Sequence, residues 1–361
     1  MAGALRTTVT TTNARMQPDA TPFLVLPKIN GLPEGTTKID ARLSSLLFSI
    51  SGGQVGDYQL GGMIYAYLFN GDLLSGLYGF YPGFAYVEAK SDTWRFSAGL
   101  QQDVFSPMMP TMVDRMSAFA GSGNPGNSFK PQLRVERYFQ SGDERFVFEG
   151  ALADAMPSNI KPSFVGSTEN TGAPNAEARF AWTHGSARDD GALLDWPQYT
   201  LGVSATTGRF RTIYSPANGG IAAQTTRLRG VALEAGWRIS QRLGLQGELY
   251  TGRALGSYLA TAFQTVDSGT LNPIRGSGGW GELAWYWAPG LHSHVGYGRD
   301  STHSADHSSG IRSNATAFTN LFWDPSPKTT LAIEATWRRT DFLGVGAHEG
   351  LALMLSSELR F

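Results

Sequence analysis

The final strand of the chain alternates between apolar and polar or small side chains, and no other feature of the sequence constrains the fold as strongly. Apolar side chains occupy every second position from Leu351 to Leu355, and again Leu359 and Phe361. Successive side chains of a β-strand point to opposite faces of its sheet, so this segment predicts a strand with one apolar face. The sequence predicts an all-β protein, because the same alternation recurs upstream at 331–338, 282–287, 243–250, 231–238 and 94–103.

The connections between the predicted strands alternate between long and short. Long connections are predicted at 340–349, 300–310, 254–277, 210–224, 156–174 and 104–128, and those between them are short or of medium length. In a transmembrane barrel, short turns lie at one end and longer loops at the other. A soluble sandwich of two sheets has no reason to keep this order. The alternation therefore favours a transmembrane antiparallel β-barrel.

The composition agrees with a barrel. No stretch reaches the roughly 18 apolar residues that a membrane-spanning helix needs, and barrel strands escape that test because they alternate. The 44 glycines and the 12% of aromatic residues are typical of tight turns and aromatic girdles. The chain has no cysteine, and its net charge of −1 without a basic run gives no electrostatic case for binding nucleic acid.

The number of strands follows from counting turns. Fifteen strands are predicted from residue 38 onward, and a barrel with both termini at one end needs an even number. Residues 22–30 are the only candidate for the missing strand, although each of their two prolines removes a ladder donor. Sixteen strands are favoured, with fourteen or eighteen as alternatives. The Thr-rich residues 1–21 are predicted to be disordered, and residues 22–361 to form a single barrel domain.

The connection 104–128 is the longest in the chain, and we expect it to fold into the lumen as the third long loop. Its Met and Phe side chains need a surface to pack on, and loops of this length are usually functional or disordered. We expect Met112, Asp114 and Arg115 to help define a constriction. A watery lumen tolerates charge and hydrocarbon does not, so the facing wall is predicted from charged residues on the inward face of the strands: Arg42, Arg95, Arg134, Arg179, Glu136, Glu149 and Glu177.

Mixed charges in a narrow passage orient polar solutes and set ion preference. Other chemistry finds little support in the sequence. No Ser/His/Asp constellation can be assigned, and His303 and His307 lie in a polar loop without a helix to hold them on one face. We therefore expect no enzymatic activity, no metal and no cofactor.

Two segments resemble the DcaP-like family of porins: Ile39–Phe48, and Trp94–Gln101 leading to Phe105-Ser106-Pro107. The residues Leu355, Leu359 and Phe361 resemble the C-terminal signal that the barrel-assembly machinery of the outer membrane recognises. The family resemblance implies a sixteen-stranded homotrimeric barrel that admits small anionic solutes, dicarboxylates among them.

These observations predict an outer-membrane porin of a Gram-negative-type bacterium, embedded in lipid, that allows passive diffusion of small hydrophilic solutes. Two alternatives stay open. The first is a barrel that does not transport, either an adhesion scaffold or an embedded enzyme. The second is a soluble β-rich carbohydrate-binding protein, favoured by the aromatic content and by the lack of an apolar signal-peptide core in residues 1–23.

Overall fold

β-Strands are the main secondary structure of the described residues. The computed structural model describes residues 2–69, 78–114, 122–154, 168–170, 173–185, 193–214, 222–267 and 269–361. Four short 3-10 helices lie at Pro125–Asn127, Gly256–Tyr258, Thr261–Phe263 and Ser304–Asp306. The strands are β1 (Ala2–Thr12), β2 (Met16–Gln17), β3 (Leu24–Val25), β4 (Thr36–Asp40), β5 (Ser45–Val55), β6 (Tyr58–Phe69), β7 (Tyr78–Lys90), β8 (Trp94–Gln102), β9 (Phe129–Ser141), β10 (Glu144–Ala153), β11 (Thr168–Asn170), β12 (Asn175–His184), β13 (Tyr199–Tyr214), β14 (Ala222–Arg238), β15 (Leu243–Arg253), β16 (Arg275–Ala288), β17 (Leu291–Thr302), β18 (Ile311–Ser326), β19 (Thr329–Phe342) and β20 (Gly346–Arg360).

The strands close into one antiparallel barrel with sixteen strand positions. From β5 to β10 and from β12 to β20, each strand pairs with the next along the chain, and β1 closes the ring by pairing with β20 on one side and with β4 and β5 on the other. The short strands β2 and β3 pair with each other in a separate two-stranded sheet. Two positions are interrupted: β4 and β5 follow one another beside β1, and β11 and β12 follow one another beside β13. The prediction of a sixteen-stranded barrel is confirmed.

The identity of the first strand corrects the sequence-based prediction. Residues 22–30 do not form a barrel strand, and residues 1–21 are not a disordered segment, because Ala2–Thr12 is the closing strand β1. Threonine is β-branched and favours strands. Along β1, Leu5 and Thr7 are exposed while Arg6 and Thr8 are buried, which is the alternation of a strand between lipid and lumen.

The two ends of the barrel differ as the connection lengths predicted. The end that holds Phe361, called here the short-turn end, has the tight turns 56–57, 91–93, 142–143, 289–290 and 327–328. The opposite end, called the long-loop end, carries the first loop 13–35, the third loop 103–128 and the sixth loop 254–274. Two connections break the pattern: 185–198 is long at the short-turn end, and 343–345 is a tight turn at the long-loop end.

The outer face of the barrel is apolar and the inner face is polar. Leu351, Leu353 and Leu355 are exposed on the outside, whereas Ala352 and Met354 between them are buried inside. Aromatic residues gather on the outer face near the short-turn end, including Tyr199, Trp237, Trp285, Trp287 and Trp323. The buried apolar clusters lie inside the barrel, where the first, third and sixth loops pack against the wall. None of the described helices is long and apolar enough to cross a membrane.

Candidate pore constriction

The third loop runs along the inside of the barrel wall. Residues 103–114 leave β8 at the long-loop end and then contact inward side chains of β12, β13, β15, β16 and β19 in turn. The guanidinium of Arg6 on β1 donates to the carbonyl oxygen of Val113 at the far end of this path. The loop therefore follows the wall around a large part of the barrel circumference and narrows the lumen on that side.

Four glutamates on the inner wall hold the loop through its backbone. Glu177 accepts from the amides of Val104 and Phe105, at 2.8 and 3.2 Å. The other three bonds run from the amide of Met108 to Glu248 at 2.9 Å, from the amide of Thr111 to Glu282 at 2.7 Å, and from the amide of Val113 to Glu334 at 2.7 Å.

These carboxylates solve a problem that any loop inside a barrel meets. A backbone amide buried away from water must find an acceptor, and an extended loop cannot supply its own. A carboxylate is an especially strong acceptor for such an amide. Glu177, which the sequence placed in the charged wall of the passage, is buried at 4% exposure and serves as a loop anchor.

The side chains of the loop pack where the backbone is anchored. Met112 is 2% exposed and lies in a buried cluster with Trp280 and Phe318. Met112 therefore packs the loop against the wall, and its part in defining a constriction stays a prediction. Asp114 is also buried and interacts electrostatically with Glu334 and with the fully buried Arg338. Arg115 lies outside the described residues.

An ion pair closes the base of the third loop. Asp103 and Lys130, one on each side of the loop, are fully buried, and their Oδ2 and Nζ atoms lie 2.5 Å apart. The ammonium of Lys130 also lies 3.2 Å from the ring centre of Tyr258 in the sixth loop. The hydroxyl of Tyr258 donates to Glu177 at 2.8 Å, so the sixth loop shares an anchor with the third.

The first and sixth loops also enter the barrel, which the sequence did not lead us to expect. In the sixth loop, Leu255, Tyr258 and Leu259 are buried, and the ring of Phe263 packs at a tilted angle against Phe23 of the first loop, with ring centres 5.0 Å apart. The signal was present in the sequence, because 255–263 is as apolar as the third loop. Because these apolar side chains also need a surface to pack on, the entry of the sixth loop into the barrel could have been predicted.

The sixth loop and the returning arm of the third loop both lie against the inner wall. The hydroxyl of Tyr250 on β15 donates to Asp300 on β17 and accepts from the backbone amide of Thr261 in the sixth loop, which lies 2.8 Å away. Gly123 has a φ of +94°, and a Cβ atom there would lie 2.2 Å from the carbonyl oxygen of Gly279. Only glycine fits this approach of the loop to the wall.

The sixth loop is in turn tied to the connection 303–310. Asp267 accepts from the amides of Ser308 and Thr270, at 3.1 and 2.8 Å. Partial burial raises the pKa of Asp267, but these hydrogen bonds outweigh that effect and hold the pKa below its ordinary value. This contact therefore ties the sixth loop to the connection 303–310 through an ionised carboxylate.

A chain of ion pairs covers the part of the inner wall that the anchors leave free. Three arginines alternate with four glutamates from β7 to β14 in the order Glu88, Arg95, Glu136, Arg134, Glu149, Arg179 and Glu234, and this set is called the ladder below. Every described cation in the ladder is the guanidinium group of an arginine, and such a group can bind two carboxylates at once. Five of the predicted lining residues, Arg95, Arg134, Arg179, Glu136 and Glu149, are thereby brought together.

Exposure differs between the two signs of charge in the ladder. The side chains of Arg95, Arg134 and Arg179 are 13–15% exposed, whereas those of Glu136, Glu149 and Glu234 are 3–6% exposed. Glu88, at 26%, is the exception. The guanidinium groups therefore form most of the surface that the ladder presents to the lumen. Arg42 lies apart from it, at the interruption between β4 and β5, where it pairs with Asp40 at 2.6 Å.

Solved structures of outer-membrane porins and channels share this architecture. The outer membrane channel DcaP of Acinetobacter baumannii superimposes with a TM-score of 0.76 over 100% of this chain and 96% of that chain, at 15% identity. The chain has the porin fold. The resemblance seen in Ile39–Phe48 and Trp94–Gln101 is confirmed at the level of the fold.

Other porins share the fold at greater distance. An anion-selective porin from Comamonas acidovorans matches with a TM-score of 0.59 and 11% identity, over 100% of this chain and 98% of that chain. OprB of Pseudomonas putida matches with a TM-score of 0.59 and 12% identity, over 100% and 94%. The sequence matches no protein-family model and no curated protein.

Proposed function

We propose that the protein is a porin of the outer membrane of a Gram-negative-type bacterium, through which small hydrophilic solutes diffuse passively. The porin fold, the apolar outer face and the charged inner face support this assignment. The observation that carries it is the arrangement of the third loop. Four wall carboxylates fix that loop against one side of the lumen, and the ladder of partly exposed arginines remains on the other.

An anion preference belongs to this proposal. The carboxylates that hold the third loop are occupied by backbone amides, and those of the ladder are more buried than its guanidinium groups. A solute in the passage meets guanidinium surface, which binds carboxylates in a bidentate manner. We therefore expect small mono- and dicarboxylates to pass more readily than cations of the same size.

Assembly and partners follow from the same assignment. Leu355, Leu359 and Phe361 lie exposed on the outer face of the last strand, which is compatible with recognition by the barrel-assembly machinery before membrane insertion. One structural neighbour is a trimeric form of OmpT, an outer membrane protein of Vibrio cholerae. We propose that this chain likewise works as a homotrimer in outer-membrane lipid.

A barrel that does not transport is the second candidate, and one observation favours it. The first, third and sixth loops all enter the long-loop half of the lumen and bury apolar side chains there. If these loops sealed the passage, the barrel would serve as a scaffold or carry an embedded enzyme. The soluble carbohydrate-binding alternative lacks support, because a closed sheet with an apolar outer face has no stable surface in water.

Liposome swelling separates the two candidates. Purified protein is reconstituted into liposomes, which are then diluted into isotonic solutions of uncharged sugars of increasing size and of a small dicarboxylate. A porin lets small sugars and the dicarboxylate enter, so the liposomes swell at rates that fall with solute size. Folded, inserted protein that gives no swelling with any solute would support the sealed barrel instead.

A further inference from the structure

Arginines collect on the outer face of the barrel at one place. They lie at the long-loop ends of β13 to β17 and share the parity of the outward apolar residues Val231, Leu233 and Leu249. Seven arginines belong to this group: Arg209, Arg211, Arg227, Arg229, Arg253, Arg275 and Arg299. They face away from the lumen, so the passage of solutes does not account for them.

The strand register sets three of these cations side by side. Arg229 of β14 is directly opposite Arg253 of β15, and Arg253 is directly opposite Arg275 of β16. The amide of His303 then bonds the carbonyl oxygen of Arg275, which extends the row to β17. Like charges directly opposite one another destabilise a sheet unless an anion lies between them.

These arginines differ in their ion pairs. Arg275 pairs with Asp306 at 2.7 Å. Within the described part of the chain, no carboxylate pairs with Arg227, Arg229, Arg253 or Arg299. The contrast with β19 is clear, because the outward Arg339 there pairs with Glu349 at 2.7 Å.

A cavity of about 530 Å³ lies between these arginines. Its cationic edge is formed by Arg229, Arg253 and Arg275. One step further toward the membrane, a row of hydroxyl groups crosses the same strands, since Thr251 is opposite Ser277 and Ser277 is opposite Ser301. Guanidinium groups and hydroxyl donors together are the groups that bind phosphate oxygens.

The height of the cavity places it at a membrane boundary. On β14, Arg229 lies eight positions before Trp237, which belongs to the aromatic group of the short-turn end. For a strand tilted by about 40°, this spacing corresponds to roughly 20 Å along the barrel axis, close to the height of the apolar band of a transmembrane barrel. Val231, Leu233 and Leu249 lie on the membrane side of the cavity.

The longer loops of a transmembrane barrel of this type are extracellular, so the long-loop end lies at the outer leaflet. We propose that this cavity binds the phosphorylated headgroup of a lipid in the outer leaflet of the membrane. The phosphates lie against Arg229, Arg253 and Arg275 and accept from the hydroxyl row, while the acyl chains follow the apolar face below. The bound anion removes the repulsion between the opposed arginines. This inference rests on the membrane location in the proposed function, but it does not depend on transport, because the cavity faces lipid.

The test measures lipid binding to the intact, detergent-purified protein by native mass spectrometry. The probes are lipid A with two phosphates and the same lipid with both phosphates removed. The test variant is the double substitution Arg229→Gln and Arg253→Gln, since neither residue has a described ion partner. Arg339→Gln is the matched control, because it removes one outward arginine that already has a carboxylate partner.

We expect phosphorylated lipid A to bind the wild type and the Arg339→Gln control, and the dephosphorylated lipid to bind much more weakly. The double variant should bind phosphorylated lipid A at least about tenfold more weakly, because each charge-assisted contact contributes that much or more. Equal binding of the two lipids, or unchanged binding by the double variant, would overturn the proposal. Displacement of the lipid by micromolar inorganic phosphate would overturn it as well, because the site would then be one for free phosphate.

Single-channel conductance of the double variant keeps the two proposals separate. Since the substituted side chains lie outside the lumen, the variant should conduct like the wild type whether or not lipid binds. Loss of lipid binding with normal conductance supports the lipid site, whereas failure of the wild type to conduct concerns the proposed porin function alone.

Discussion

At the scale of single residues, the difference between buried carboxylate and exposed guanidinium decides what the lumen presents to a solute. The ladder contains one more glutamate than arginine, so a count of charges predicts a weak cation preference. Exposure reverses that expectation, because the guanidinium groups cover the carboxylates that they bind. The same logic applies to Glu177, whose charge is directed at the amides of the third loop.

Arg134→Gln tests whether the guanidinium groups of the ladder set the ion preference. Each carboxylate that Arg134 binds keeps another arginine, since Glu136 still pairs with Arg95 and Glu149 with Arg179. The substitution should therefore leave the barrel folded and shift the reversal potential in a salt gradient toward cation preference. Arg42→Gln is the matched control, because Arg42 lies outside the ladder. An equal shift from both variants would show that the ladder has no special influence.

At the scale of secondary-structure elements, the third loop depends on a few wall carboxylates. Glu282 accepts from both the amide and the hydroxyl of Thr111, at 2.7 and 3.1 Å. Glu282→Ala leaves that buried amide without an acceptor, at a cost of about 1–3 kcal/mol. We expect the loop to detach locally, which should appear as greater noise and a larger mean conductance in single-channel traces.

Glu282→Gln is the conservative partner of that variant. Its amide oxygen still accepts from Thr111, so its traces should stay close to those of the wild type. If Glu282→Ala were as quiet as the wild type, the carboxylates would not be what holds the third loop.

The strand β1 should be as important for stability as any strand of the barrel, although the sequence did not reveal it. Val9 lies opposite Leu355 of β20 and opposite Ile39 of β4. Val9→Pro removes a ladder donor and adds a steric clash. We expect the variant to lose the compact form that folded barrels show on unheated SDS gels, whereas Val9→Thr should keep it. A Val9→Pro protein that stays compact would mean that β1 is dispensable for closure.

Much of the fold could be predicted from the sequence, because strand alternation and connection length are local properties. The segment 94–103 is one example, since its alternating pattern alone placed Trp94 and Phe96 outside. The strand β1 was missed because threonine serves equally in strands and in polar, disordered segments. In addition, the residues of β20 that pair with β1 lie 340 or more positions away in sequence. The role of Glu177 could not be predicted, because an inward carboxylate bonds either water or a loop amide, and only the three-dimensional path of the loop decides between them.

At the scale of the whole molecule, the barrel is asymmetric in depth. Its long-loop half is packed with the first, third and sixth loops, while the ladder lines the wall nearer the short-turn end. Under the proposed function, passage through the packed half limits the size of the solutes, and the ladder favours anionic ones. We therefore expect a continuous, anion-preferring path past the third loop.

Single-channel recording of the detergent-refolded protein tests whether this path exists. The protein is inserted in a planar bilayer with a salt gradient across the membrane. We expect stepwise openings, grouped in threes for a trimer, and a reversal potential of the sign that anion preference requires. Folded, inserted protein that never opens would contradict the existence of the path, and a reversal potential of the opposite sign would contradict the role given to the exposed arginines.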